Sequence, residues 1–226
     1  MIKNIKNFIS VFLALTMIFA ITAKPILADE ITNIYINESF SDSALNGSPK
    51  GAQTEGEGSV IRVIEDKTRH KVLKIKNRWK DTTVRYSMSV TDKKIVLQTR
   101  VCKNTPSGNI AILQIVNDRG KVYDLLQLRG NIITDSMENK ITRYNGGWME
   151  AAVVLDCTNL RYDVYIDRQK KASRVKINGT FQAPKSLCVT AYANESSESE
   201  ILVDYLYAYG GTKLTEFIDT KDYNEK

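Results

Sequence analysis

After residue 28 no stretch of the chain repeats its apolar residues at helical spacing. Short runs alternate with a period of two instead, and Gly, Asn, Asp or Pro closes each one. Successive side chains of a strand point to opposite faces, so such runs predict half-buried strands. From Val84 to Val90 the pattern sets Val84, Tyr86, Met88 and Val90 inward and Arg85, Ser87 and Ser89 outward. Ile95, Leu97, Thr99 and Val101 stand against Val96, Gln98 and Arg100. Leu73 and Ile75 share a face flanked by lysines, a composition that blunts sheet edges. Ile110 to Val116 is apolar on both sides except at Gln114, the mark of a strand covered on both faces. Roughly ten to twelve strands are expected, enough for an antiparallel sandwich or barrel.

The first 28 residues read differently. Lys3 and Lys6 precede an apolar run from Phe8 to Ala23, and small residues up to Ala28 offer a cleavage site before Asp29. That is the layout of a secretory signal peptide, and it predicts a secreted or cell-surface protein with no membrane attachment after cleavage. Loss of Lys3, Lys6 and Lys24 lowers the formal charge from +6 to +3. The remaining lysines and arginines are scattered, which speaks for a solvated surface and against a nucleic-acid footprint. The expected organisation is a signal peptide over 1–28, a β-sandwich over 29–210 and a tail over 211–226. The tail reads as frayed or as a short helix.

Cys102, Cys157 and Cys188 allow one disulfide and a spare thiol in an exported chain, or three free buried thiols. Their spacing matches no zinc pattern. Asn37, Asn178 and Asn194 each open an Asn-x-Ser/Thr triplet.

The stretch from Lys121 to Gly130 raises a question. A strict period of two puts Tyr123, Leu125, Gln127 and Arg129 on one side and Asp124, Leu126 and Leu128 on the other. An aromatic, an amide and a guanidinium would then share one face.

Four segments, in order, resemble the concanavalin A-like (laminin G-like) jelly-roll domains of secreted bacterial proteins. They are "NESFSDSALNGSP" from Asn37, "HKVLKIKN" from His70, "GGWMEAAVVLDCTNLRYDVYIDRQK" from Gly146 and "EILVDYLYAYG" from Glu200. The resemblance runs from Ile36 to Gly210 and implies an all-β, antiparallel two-sheet jelly-roll sandwich. It departs where a hairpin glycine is replaced by Arg168, which predicts a longer or differently wound turn. In a jelly roll the first and last strands lie side by side. Glu38, Asp42 and Asp204 would then approach one another, where related domains often hold a structural calcium ion. No dense Asp/Asn ligand loop is present, so a strand cap at Asp204 and a water-facing Glu38 are the plainer expectation.

Relatives of this fold bind or cut polysaccharides on the concave sheet. Sugar rings need aromatic platforms and their hydroxyls need planar polar groups. The candidates are Trp79, Arg85, Gln114, Tyr123, Gln127, Arg129 and Trp148. Glucanase relatives carry paired carboxylates as "E-x-D-x-x-E", and no such string occurs here. Lyase relatives use Tyr, His or Gln, and Arg. Here Val116 stands where the histidine would be, and the one histidine, His70, is expected at the surface. The sequence therefore predicts a non-catalytic carbohydrate-binding or cell-surface interaction module that requires no cofactor. The alternatives are a lyase acting on uronate polymers and an envelope subunit binding a protein partner. The last would fit an exposed stripe of Tyr205, Tyr207 and Tyr209.

Overall fold

The structure is a computed structural model. It describes residues 31–217 apart from 69, 78, 106, 181–182 and 194–197. The expected signal peptide, the glycosylation triplet at Asn194 and the end of the tail lie outside the described residues. From Ile31 the chain forms one compact unit.

Among the described residues fifteen strands build two antiparallel sheets, and no helix occurs. The larger sheet runs in the order β13 (Gln169–Lys176), β12 (Arg161–Ile166), β11 (Met149–Asp156), β6 (Lys94–Lys103), β15 (Glu200–Gly210), β4 (His70–Lys76), β3 (Val60–Asp66). The first strand, β1 (Ile34–Glu38), pairs with the C-terminal half of β15, setting Asn37 opposite Tyr207 and Glu38 opposite Leu206. The second sheet runs β10 (Lys140–Arg143), β9 (Ile132–Asp135), β8 (Val122–Arg129), β7 (Asn109–Asn117), β14 (Pro184–Ala191), β5 (Thr82–Ser87), β2 (Gln53–Glu55). The excess over the expected strand number lies in short pieces. β2, β9 and β10 have three or four residues each, too few to register as alternation.

The two inner faces meet in one core. Leu73, Ile75, Leu97, Val101 and Leu206 of the larger sheet pack with Val84, Tyr86, Ile110, Leu187 and Val189 of the other. Each aliphatic side chain so buried contributes about 1.5–3 kcal/mol. The alternation from Val84 to Val90 holds, with Val84, Tyr86, Met88 and Val90 all in the core.

Two expectations are corrected. Tyr205, Tyr207 and Tyr209 share the outer face of the larger sheet with Val96, but they are not an exposed stripe, and Tyr209 is 1% accessible. Residues 211–217, without regular structure, lie over them. Phe217 stacks on Tyr205 at 4.3 Å between ring centroids. Tyr209 Oη donates to Lys213 O (3.0 Å) and accepts from Thr215 N (2.9 Å). The turn at Arg168 is not lengthened either. Ile166 pairs with Gln169, leaving a two-residue turn in which Asp167 and Arg168 both take positive φ, 47° and 64°. Arginine thus adopts the mirror-image turn that glycine usually serves. It also reaches Glu150 (3.4 Å) and Glu216 (3.8 Å), so it tethers the segment after β15.

Candidate functional site

The outward face of the seven-stranded sheet carries the site, and a double bulge shapes it. Along β7 and β8 the register runs Asn109–Arg129, Ile110–Leu128 and Ala111–Gln127, then shifts to Leu113–Leu126 and back to Gln114–Asp124. Ile112 and Leu125 are therefore each an extra residue with no opposite partner. Ile112 and Leu113 both enter the core, as do Leu125 and Leu126. The alternation reverses phase there. Ala111 and Gln114 face outward on β7, and Asp124, Gln127 and Arg129 face outward on β8.

This corrects the strict period of two. Tyr123 does not share a face with Gln127 and Arg129. It belongs to the core cluster, 8% accessible, with Lys121 Nζ 5.1 Å from its ring centre. Asp124, expected beside the core leucines, is the centre of the outward network. The bulge was legible in principle, because "AILQ" (Ala111–Gln114) and "DLLQ" (Asp124–Gln127) each place two apolar residues together between small or polar ones.

Asp124 accepts three side-chain hydrogen bonds. Gln114 Nε2 donates to Oδ1 (2.6 Å), Tyr192 Oη donates to Oδ2 (2.7 Å), and Gln127 Nε2 also donates to Oδ2. The network extends both ways. Thr190 Oγ1 donates to Gln114 Oε1 (3.0 Å), and Thr83 and Thr190 share a bond of 2.9 Å. On the other side Arg129 Nε donates to Gln127 Oε1 (2.6 Å) and Arg129 Nη2 pairs with Glu138 (2.7 Å). One polar chain thus crosses β5, β14, β7 and β8, and the threonine, glutamine, Tyr192 and Arg129 Nε donors run toward the Asp124 carboxylate. Such alignment makes each bond strengthen its neighbours. A small cavity of about 190 Å³ opens where Asp124, Gln127 and Glu138 meet Asn178.

The electrostatics follow. Burial, then the hydrogen bond to Asp124 and its charge, pushes the Tyr192 phenol far above its ordinary value. The bond from Arg129 holds the Glu138 carboxyl below its usual range. Cys188 lies opposite Arg85 and Gln114 in register, and burial raises its thiol to about 11 although Arg85 opposes this. All three cysteines are free thiols.

Of the expected residues, Gln114, Gln127 and Arg129 are joined in this network, whereas Thr83, Asp124, Glu138, Thr190 and Tyr192 were not anticipated. Arg85 faces outward on the same sheet and pairs with Glu55 of β2 (3.4 Å). Trp79 stands apart, 81% accessible in the turn between β4 and β5. Trp148 is partly buried in the turn before β11. His70 is exposed, as expected.

The three carboxylates considered for calcium do not assemble. Among the described residues no group of three or more His, Cys, Asp or Glu is placed to hold a metal ion. Glu38 is buried and does not face water, and its Oε1 accepts the backbone N–H of Phe40 at 2.6 Å. Lys71 Nζ donates to Ser41 O (2.7 Å) and Ser43 O (2.9 Å). An ammonium thus already sits on carbonyls of this turn, an arrangement that does not fit a calcium ion there.

No family model matches the sequence, and neither does any curated protein. Solved structures do match in fold. A cellulose-induced protein superposes with a TM-score of 0.60 at 9% identity, covering 80% of this chain and 99% of that one. Domain 4 of an extracellular arabinanase from Geobacillus stearothermophilus, solved with arabinotriose, gives 0.57 at 16% identity, covering 84% and 98%. A sialidase gives 0.52 at 11% identity, covering 78% of this chain but 19% of its own length. The chain is similar to all three as a two-sheet β-sandwich.

Proposed function

We propose that this domain is a non-catalytic carbohydrate-binding module of a secreted or cell-surface protein, with a concanavalin A-like sandwich as its scaffold. The binding surface is the outward face of the seven-stranded sheet. The observation that carries the reading is the Gln114–Asp124–Gln127–Arg129 network. Its amides and guanidinium are planar hydrogen-bonding groups, fixed before any ligand arrives, and saccharide hydroxyls require such groups. The structural likeness to a domain solved with arabinotriose supports this. The apolar leader ending near Ala28 supports export.

The geometry argues against elimination chemistry. Tyr192 is within reach of Gln114 (2.9 Å), but its hydroxyl donates to Asp124 and holds its proton tightly. A general base must release that proton near working pH. The protein-partner alternative loses its surface, because the tyrosines that would form it are buried.

A glycan array probed with the purified protein tests the assignment. We expect retention of at least one class of polysaccharide, and a loss of tenfold or more in Gln127→Ala and Arg129→Ala. Retention that both variants keep in full places binding elsewhere.

A further inference from the structure

The opposite sheet holds a larger cavity that the network above does not touch. Its volume is about 480 Å³, within the range of small-ligand sites, and it lies across the outer face of β6, β11, β12 and β13. Register builds it. Asp156 stands between Lys94 and Arg161, and Val154 lies beside Asp163. Tyr165 and Lys170 pair at the far side. Lys94, Arg161, Lys170 and Arg174 outnumber the carboxylates of Asp156 and Asp163.

The two carboxylates and Lys170 are committed. Asp163 accepts from Lys170 Nζ (2.7 Å) and from Arg174 N (2.9 Å). Asp156 accepts from Thr158 N (3.0 Å), Asn159 N (2.9 Å) and Asn159 Nδ2 (2.9 Å). Lys170 Nζ also lies 5.3 Å from the centre of the Tyr165 ring. The Arg161 guanidinium, like that of Arg174 and the Lys94 ammonium, makes no side-chain hydrogen bond or ion pair with a described residue. An uncommitted guanidinium in a cationic cavity matches a carboxylate in two-pronged geometry. The partly exposed Tyr165 ring and the apolar Val154 offer a flat surface for a pyranose face, and the fixed carboxylates accept hydroxyls.

We propose that this cavity is a second binding site, specific for the carboxylate-bearing unit of an acidic saccharide. Arg161 takes the carboxylate and Tyr165 takes the ring face. The two sites lie on opposite sheets, so one molecule can engage two chains of a polymer. The inference rests on different residues from the network and survives its failure.

Affinity electrophoresis in gels containing polygalacturonate tests the proposal, with neutral galactan and dextran sulfate as comparison polymers and thermal unfolding as the check on folding. The protein is retarded by polygalacturonate more than by galactan. Arg161→Ala and Tyr165→Ala weaken that retardation at least tenfold, and Tyr165→Phe keeps it. Three results overturn the proposal: no retardation by polygalacturonate, full retardation in Arg161→Ala, or equal retardation by dextran sulfate with no dependence on Tyr165. The last would mark simple polyanion attraction.

Discussion

Asp124 and Gln127 lie three positions apart on one strand, yet Gln127 Nε2 donates to Asp124 Oδ2, across two leucines that both point into the core. In an unbroken strand, residues three apart face opposite ways. The bulge at Leu125 makes the contact possible, and Gln114 on β7 meets the same carboxylate because Ile112 bulges beside it.

Removing that carboxylate should be costly. Asp124→Ala leaves the donors of Gln114, Gln127 and Tyr192 without their acceptor, and unpaired buried donors cost about 1–3 kcal/mol each. We expect a loss of about 2–4 kcal/mol in urea unfolding, and a smaller loss, about 1 kcal/mol, for Asp124→Asn, which keeps one acceptor oxygen. Equal stability of Asp124→Ala and the parent would mean that the network contributes nothing to folding.

Much of the scaffold was readable from alternation alone. Strands whose inner residues keep a strict period of two, such as Val84 to Met88, placed their own core faces. The site was harder, because period-two reasoning fails at a bulge and transposed Tyr123 and Asp124. Tyr192 follows the last residue of β14, and the cross-strand register that brings it to Asp124 is a tertiary property. Burial of the tyrosine stripe depends on Leu214 and Phe217, in a segment with no periodic signal.

The Arg168 turn sets conformational strain against tethering. A non-glycine residue in the left-handed region costs roughly 1–2 kcal/mol, and exposed ion pairs return about 0–1 kcal/mol. Arg168→Gly should therefore raise stability by about 1 kcal/mol while speeding protease cleavage within residues 211–217. A drop in stability would show that the contacts with Glu150 and Glu216 dominate.

Lys103 gives a pH signature. Its ammonium is buried, donates to Gly108 O (2.9 Å) and Gly130 O (2.7 Å), and burial lowers its pKa to about 8. The unfolded chain holds that proton up to about pH 10. Between these values the unfolded state binds more protons, so stability from this group rises with pH, by up to about 1 kcal/mol per unit. Urea unfolding from pH 7.5 to 9.5 should show that rise in the parent and lose it in Lys103→Met. Parallel curves would contradict the assignment.

The thiols should be inert. Burial raises Cys157 to about 12 and Cys188 to about 11, and it also raises Cys102. Thiolate is the reactive form. Iodoacetamide at neutral pH followed by mass spectrometry should leave Cys157 and Cys188 unmodified in the native protein, and all three should label in urea without reductant. A cysteine that labels only after reduction would reveal a disulfide.

Side-chain amide resonances offer the most direct view of the outward face. In a nitrogen–proton correlation spectrum titrated with the polysaccharide retained on the array, the Gln114 and Gln127 NH₂ signals and the Arg129 Nε–H should shift together and saturate at one dissociation constant. Saturating shifts confined to other residues, with these three unmoved, would contradict the account.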